Sequence, residues 1–171
     1  MEFPELSPAL RAARLAAPKG KVRMVLDTDT YNEVDDQFAV VQWLLSPDRL
    51  GIEAIYAAPF HNNRSDGDGD GMQKSYEEIL RLLERLDVSP EGFAHRGSTR
   101  FLQRSDVAQE SAAAHDLVER AYNGNAPLYV VAYWRHYERG FRPLIRSFDC
   151  RKNRRRLARR AAALLAFSAR V

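Results

Sequence analysis

The sequence predicts an α/β domain built on an open, mostly parallel sheet with helices on both faces. Short runs of β-branched and aliphatic residues at 22–26, 52–57 and 128–132 are typical of buried strands. Longer segments with helical spacing of their apolar residues lie between these runs. Strands that alternate with helices favour this class, because each helix carries the chain back to start another parallel strand.

Turn and breaker residues set the limits of the predicted elements. Pro18 and Gly20 end a short amphipathic helix, Ser46-Pro47 closes the next helix, and Asn123-Gly124 stops the last one. The predicted elements are, in order, helix 7–16, strand 22–26, helix 35–45, strand 52–57, helix 72–86, short strand 92–96, helix 108–122 and strand 128–132.

Two of the predicted helices have an apolar stripe that we expect to face the sheet. The first stripe consists of Phe38, Val41, Leu44 and Leu45. The second consists of Met72, Tyr76, Ile79, Leu80, Leu83 and Leu86. The segment 59–71 between the two helices is too charged and too rich in glycine for a regular element, so we predict a polar loop there. We also expect the strand 128–132 to leave one edge of the sheet unpaired.

The composition excludes several protein classes. The chain has 171 residues, of which 45% are apolar and 29% charged, so a wholly disordered or collagen-like chain is excluded. Cys150 is the only cysteine and cannot form an internal disulfide, which excludes a disulfide-stapled scaffold. We find no apolar run of membrane-spanning length and no signal peptide in residues 1–21, so we expect a cytoplasmic location and no membrane partner.

A dense acidic segment joins the strand 22–26 to the helix 35–45. Its ten residues hold five acidic side chains: Asp27, Asp29, Glu33, Asp35 and Asp36. Carboxylates at the end of a strand lie where open α/β sheets bind ligands, and they repel one another unless a cation or protons intervene. Oxygen ligands favour Ca²⁺ or Mg²⁺ over zinc. The residues alone leave a second interpretation open, an acidic first helical turn that the helix dipole stabilises without any metal.

The pattern Asp27-x-Asp29 followed by Asp35-Asp36-x-x-Ala39 resembles the N-terminal signature of the inosine–uridine-preferring nucleoside hydrolases. The resemblance covers residues 21–132 and continues through 52–62, Asp70-Gly71-Met72, Arg96-Gly97 and 128–132. It implies a hydrolase that cleaves the N-glycosidic bond of ribonucleosides with a tightly bound Ca²⁺. It also allows a homo-oligomer, as in the intact family form.

The resemblance implies a role for each acidic residue at the end of the first strand. Asp29 matches the residue that contacts Ca²⁺ and activates water, and Asp36 matches the bidentate Ca²⁺ ligand. Asp35 matches the residue that contacts the ribose hydroxyls, and Asn62 matches an asparagine beside the sugar. Asp27 would support the site. Five residues separate Asp29 from Asp35, where the usual family spacing is three, so we expect the intervening loop to bulge.

A second acidic motif offers an alternative function. Residues 66–77, from Asp66 to Glu77, match the calcium-loop pattern of EF-hands in full. An EF-hand also needs a helix entering the loop, but the preceding segment contains Pro59 and no helical stripe. Gln73 stands where an apolar residue would pack. We therefore favour an acidic surface loop, and a small calcium-binding protein remains the alternative.

The last 39 residues differ sharply in charge from the rest. Residues 133–171 hold 12 Lys/Arg and 2 Asp/Glu, whereas residues 1–132 hold 14 and 21. An excess of arginine over lysine fits out-of-frame reading of a G+C-rich gene. Back-translation from Trp134, shifted by one nucleotide, permits a run of more than twenty residues similar to the family continuation, including Gly-x-x-Thr-Asn-x-Ala. We expect 1–132 to be the N-terminal part of the hydrolase domain and 133–171 to be a frameshift product.

The competing interpretation of this tail is an arginine-rich arm that binds nucleic acid or a membrane surface, with 154–156 and 159–160 as its basic clusters. We consider nucleic acid the less favoured partner. The resemblance implies that a threonine carbonyl and a later aspartate complete the Ca²⁺ shell, and this frame encodes neither. We therefore expect this chain to be weakly folded and poorly active.

Overall fold

The computed structural model describes residues 7–101, 109–133 and 146–148. The helices and strands within these ranges follow one another in the predicted order. They are α1 (Pro8–Leu15), β1 (Val22–Thr28), α2 (Val34–Leu44), β2 (Leu50–Ala57), α3 (Asp68–Arg85), β3 (Ala94–Arg96), α4 (Ala112–Asn123), β4 (Leu128–Tyr133) and β5 (Arg146–Phe148). Apart from Tyr133 and β5, the predicted arginine-rich tail lies outside the described residues.

The strands form one open sheet in the order β3-β2-β1-β4-β5. The first four are parallel, and β1 lies at the centre, where it pairs with β2 on one side and β4 on the other. The predicted open, mostly parallel α/β sheet is confirmed. This topology places the carboxyl ends of β1, β2 and β4 side by side at one edge of the sheet.

The expectation of an unpaired edge beside β4 is wrong for the described residues. β5 pairs with β4 in antiparallel orientation, with Val130 opposite Arg146 and Leu128 opposite Phe148. The backbone N–H and C=O groups of an edge strand bond readily to any extended segment, whatever its side chains. The side-chain composition of the tail therefore gave no sign of this strand.

Helices cover both faces of the sheet, as predicted. One face carries α2 and α3, which contribute Val40, Met72, Ile79, Leu82 and Leu83 to a core with Leu26 and Ile55 of the sheet. The other face carries α4, whose Ala113 and Leu117 pack on Val25, Ala54, Tyr56 and Leu128. Each buried aliphatic side chain of this kind contributes about 1.5–3 kcal/mol relative to an exposed one.

The predicted apolar stripe of α2 is wrong in two of its four members. The side chains of Phe38 and Leu45 are 70% and 68% exposed, whereas Val40 is completely buried. The cause is Asp36, which is only 3% exposed because it accepts a hydrogen bond from the strand residue Thr28. Residues four apart lie on the same side of a helix, so the inward position of Asp36 directs Val40 to the core and leaves Phe38 outside.

The third helix begins four residues earlier than predicted, at Asp68, inside the segment that we expected to be a polar loop. The packing of Gly71 explains why this glycine-rich segment forms the first turn of the helix. A Cβ atom at position 71 would lie 1.9 Å from the backbone oxygen of Phe60, so only glycine allows α3 to pack so closely on the loop after β2. Most of the predicted stripe of this helix is confirmed, since Met72, Ile79 and Leu83 are buried and Tyr76 and Leu80 pack against the same core.

A cluster of ionic side chains fixes α4 to the sheet, and we call it the α4 anchor. It consists of Arg23, Glu53, Tyr56, Asp116 and Arg120. Arg23 donates to both carboxylate oxygens of Glu53, at 2.5 and 2.9 Å. The Asp116 carboxylate accepts from Tyr56 Oη at 2.8 Å and from Arg120 Nε at 2.6 Å. Arginine therefore balances each carboxylate of this cluster.

The remaining helix boundaries follow local capping. Ser7 caps α1, and Ser111 caps α4 by accepting a hydrogen bond from Ala114 N at 3.1 Å, so α4 begins at Ala112 rather than at the predicted position 108. Over the described part of the chain, we find no helix that combines the length and the apolar character needed to span a membrane.

Candidate functional site

The carboxyl end of β1 is the centre of the candidate site. β1 extends two residues beyond the predicted strand, so that Asp27 and Thr28 belong to the ladder and Asp29 follows directly. Asp27 pairs with Tyr56 on one side and Ala132 on the other. Asp27 is 6% exposed and Asp29 is 1% exposed. The strand therefore carries two carboxyl groups into the interior at the edge where parallel sheets bind ligands.

The helix α2 brings a third buried carboxyl group to the same place. Asp36 lies in its first turn, and its Oδ1 atom accepts a hydrogen bond of 2.5 Å from Thr28 Oγ1. Thr30 Oγ1 in turn donates to Thr28 Oγ1 at 3.2 Å. We call Asp27, Asp29 and Asp36 the carboxylate site. Burial of three carboxyl groups in one region is costly unless protons or a cation compensate their charge.

A tight turn joins the strand to the helix. Asn32 N donates to the backbone oxygen of Asp29 at 2.7 Å, and Asn32 Nδ2 donates to Asp29 Oδ2 at 2.9 Å. The loop between Asp29 and Asp35 therefore begins with a compact, hydrogen-bonded turn. The second carboxylate oxygen, Asp29 Oδ1, is buried and has no hydrogen-bond partner among the described residues.

Asn62 approaches this turn from the loop that follows β2. Its Nδ2 atom donates to Asn32 Oδ1 at 2.6 Å, and its Oδ1 atom accepts from Arg64 N at 2.8 Å. Arg64 Nη1 also donates to the backbone oxygen of Asn32 at 3.0 Å. The structure thus connects the predicted residues Asp29 and Asn62 through Asn32, although the two come from different strand ends.

Asp35 is placed differently from the other predicted residues. Its side chain is exposed on the first turn of α2, and no described hydrogen bond connects it to Asp29 or Asn62. Its charge still acts on its buried neighbour Asp36. Asp35 therefore lies at the mouth of the site, whereas Asp29 and Asp36 lie inside it.

Burial dominates the electrostatics of the carboxylate site. It raises the pKa of Asp27 to about 7. Burial and then the charge of Asp36 raise the pKa of Asp29 to about 8, against the opposing hydrogen bond from Asn32. Burial also raises the pKa of Asp36 to about 7, although the hydrogen bond from Thr28 lowers it. A divalent cation between Asp29 and Asp36 would favour the ionised form of these two groups.

The EF-hand pattern adopts a different structure from a calcium loop. Asp68 and Asp70 lie in the first turn of α3, so the backbone cannot wrap around an ion there. Asp70 Oδ2 accepts from Asp66 N at 2.9 Å and pairs with Lys74 Nζ at 2.7 Å. The hydrogen bond from Lys74 lowers the pKa of Asp70. The acidic residues of this motif accept hydrogen bonds from backbone N–H groups and form ion pairs.

Sequence reasoning missed Thr28 and Asn32, which orient the two innermost carboxylates. Threonine in a strand and asparagine in a turn are common for local reasons, so neither residue type signals a site by itself. The spacing of the acidic residues was the available signal for Asn32, since two additional residues between Asp29 and Asp35 must be held by something.

Within the described ranges, no group of three or more His, Cys, Asp or Glu side chains is arranged to hold a metal ion. A cation at this edge would therefore also need neutral oxygen ligands or water. No family model, curated protein or solved structure matches the chain.

Proposed function

We propose that this protein binds Ca²⁺ at Asp29 and Asp36 and hydrolyses the N-glycosidic bond of ribonucleosides. The observation that carries the proposal is the buried, unpartnered Asp29 Oδ1 atom at the carboxyl end of β1. A buried polar oxygen without a partner is expensive, and a bound ion would satisfy it. The resemblance of residues 27–39 to the nucleoside hydrolase signature supports the choice of reaction.

The donor set fits Ca²⁺ better than the other common metals. Every polar atom that Asp29, Asp36 and Thr28 direct into the site is an oxygen, and Ca²⁺ accepts six to eight oxygen ligands at flexible geometry. Two carboxylates are few for such an ion, so the remaining ligands would be water and the hydroxyl groups of the sugar. We therefore expect Ca²⁺ binding to be modest and to strengthen when a ribonucleoside is present.

Bound Ca²⁺ would supply charge that orients a water molecule and lowers its pKa. The residues of the chain would do the rest. Asp29 would accept the proton of the attacking water at Oδ1, and Asp35 and Asn62 would hold the ribose hydroxyls. Water oxygen then forms a bond to the anomeric carbon as the C–N bond breaks. The electron pair of that bond leaves with the base, which takes a proton from solvent.

Calcium titration tests the metal site directly. We expect isothermal calorimetry to show one Ca²⁺ per chain, and the variants D29N and D36N to weaken binding at least tenfold, since each loses a charged ligand. The matched control is D48N, at an exposed acid in the turn after α2. Absence of Ca²⁺ binding, or equal binding by D36N, would overturn the metal site.

Release of ribose from inosine and uridine tests the reaction. We expect slow hydrolysis that stops when EGTA removes Ca²⁺ and falls at least a hundredfold in D29N, because loss of a general base costs about 10²–10⁴ in rate. The variant D48N should keep the rate of the unsubstituted chain. Hydrolysis that persists in D29N would contradict the assigned role of Asp29, and complete absence of cleavage with Ca²⁺ bound would contradict the proposed reaction.

A further inference from the structure

The Asn32 side chain contacts residues from the two loops of the candidate site, the loop after β1 and the loop after β2. Its carboxamide donates to Asp29 Oδ2 at 2.9 Å and accepts from Asn62 Nδ2 at 2.6 Å. Its backbone N–H closes the turn on Asp29, and its backbone oxygen accepts from Arg64. The side chain is only 7% exposed, so both of its polar atoms are used inside the protein.

We propose that Asn32 is the positioning residue of this site, which sets the direction of the Asp29 carboxylate and couples it to Asn62. This inference rests on the proposed function, because it assigns Asn32 a role toward the Ca²⁺ ligand and the sugar-binding residue named there. Asn32 itself contacts neither metal nor substrate, and it acts through these two residues.

The direction of the hydrogen bonds explains how Asn32 works. The amide donates to one oxygen of Asp29 and thereby fixes the carboxylate plane, so that the other oxygen, Oδ1, is held without a protein partner. The opposite end of the same amide holds Asn62, whose own carbonyl is engaged by Arg64 N. A carboxamide has one donor end and one acceptor end, so this arrangement defines which atom of each partner faces the site.

The chain of contacts also couples the two ligands. Asp29 follows β1 and Asn62 follows β2. If the contacts of Asn32 were lost, movement of either loop would change the distance between Asp29, the proposed metal ligand, and Asn62, the proposed sugar ligand. Groups that orient the ligands of a metal ordinarily affect its affinity by 10–100-fold when they are removed. A change at Asn32 should therefore alter both Ca²⁺ affinity and nucleoside affinity, although it removes no ligand.

The test compares N32A with the matched control N63A, an exposed asparagine in the adjacent turn. Ca²⁺ titration by calorimetry is carried out below the melting temperature of each metal-free variant, so that only folded protein is measured. We expect N32A to weaken Ca²⁺ binding at least about tenfold and N63A to leave it unchanged. A merely structural role would lower the metal-free melting temperature of N32A and leave the Ca²⁺ affinity of the folded protein as it was.

A second variant keeps the test decisive if N32A does not fold. N62A removes the other end of the contact chain while leaving the Asn32–Asp29 hydrogen bond in place. We expect N62A to weaken Ca²⁺ binding less than N32A does, and to raise the KM for inosine more than it lowers kcat. Unchanged Ca²⁺ affinity and unchanged KM in N62A would overturn the coupling.

The outcomes separate this inference from the proposed function. Ca²⁺ binding by the unsubstituted chain that N32A retains in full would overturn the role of Asn32 and leave the metal site intact. Absence of Ca²⁺ binding by the unsubstituted chain would overturn the proposed function and the inference together.

Discussion

The two buried polar clusters of this protein differ in how their charge is balanced. In the α4 anchor, an arginine accompanies each carboxylate: Arg23 binds Glu53, and Arg120 binds Asp116. In the carboxylate site, three acidic side chains are more deeply buried, and the described residues place no arginine or lysine in an ion pair with them. A cluster whose positive and negative charges balance can stabilise the fold, whereas a cluster of carboxylates without a basic partner is suited to binding a cation.

The two clusters differ in how their titratable groups respond to pH. Burial and the neighbouring Asp116 carboxylate raise the pKa of Tyr56, so that it remains a hydrogen-bond donor at all ordinary pH values. Asp29, in contrast, has a pKa of about 8 and changes its charge near neutral pH. Tyr56 therefore keeps its charge state over the ordinary pH range, whereas the carboxylate site is sensitive to pH and to cations.

The largest expected effect concerns the anchor. The substitution D116A leaves the Tyr56 hydroxyl without its acceptor and Arg120 without its nearest carboxylate. We expect the free energy of unfolding to fall by about 3 kcal/mol, because two hydrogen bonds to a charged group in a half-buried position are lost. Urea denaturation measures this loss, with D48A as the exposed control. A loss below about 1 kcal/mol would place the anchor among ordinary surface ion pairs.

The next effect concerns the pH dependence of the metal-free chain. The pKa values of Asp27, Asp29 and Asp36 are raised from 3.8 to about 7, 8 and 7, so the folded chain holds protons that the unfolded chain has released at neutral pH. The stability linked to these protons is complete below the unfolded pKa and is lost as the pH rises through 7 to 8.

We therefore expect the free energy of unfolding, measured in EGTA, to fall by about 2 kcal/mol between pH 7 and pH 8.5. The variant D29N should show a shallower fall, and D48N, at an exposed acid, should retain the slope of the unsubstituted chain. Addition of Ca²⁺ should restore stability at pH 8.5 more than at pH 7. Equal stability at both pH values would mean that the carboxylate site is neutralised by other groups.

A smaller effect concerns the hydrogen bond that holds Asp36. The variant T28V removes the hydroxyl that donates to Asp36 Oδ1 while keeping the size of the side chain. We expect a loss of about 1.5 kcal/mol at pH 8.5, typical of a hydrogen bond to a charged group, and a smaller loss at pH 5.5, where Asp36 is protonated. The variant T28S keeps the donor and serves as the control. An equal loss at both pH values would show that Asp36 does not ionise in the metal-free protein.

The smallest effect concerns the outer part of the anchor. In E53Q, Arg23 loses a carboxylate but keeps its hydrogen bonds to the backbone oxygens of Ala126 and Arg120. The side chains of Arg23 and Glu53 are about a quarter exposed, so solvent screens the pair. We expect a loss below about 1 kcal/mol that disappears at high salt. Denaturation with and without 1 M NaCl checks this, and a salt-independent loss would contradict it.

The order of the elements was predictable because it depends on short-range signals. The strand cores at 22–26 and 128–132 and the stripe of α3 follow from side-chain periodicity, and the two serine caps explain where α1 and α4 begin. The early start of α3 was not predictable, since three glycines between positions 67 and 71 argue against a helix in isolation. Only the contact between Gly71 and the loop after β2 explains it.

The candidate site was predictable in its acidic residues and not in the groups that orient them. The resemblance indicated Asp29 and Asp36, and both are buried, Asp29 directly after β1 and Asp36 in the first turn of α2. The outward position of Phe38 and the central position of Asn32 depend on contacts with distant segments, Thr28 in one case and Asn62 in the other. Hydrophobicity and turn preference carry no information about such partners.

Two glycines pack against the start of the segment between β2 and α3. A Cβ atom at Gly97 would lie 2.2 Å from the Ala57 oxygen, just as one at Gly71 would meet Phe60. Backbone packed this closely loses its conformational entropy when the chain folds. A sugar that contacts Asn62 would therefore bind to a loop that is already ordered. Its binding free energy would not be reduced by the entropy cost of ordering that loop.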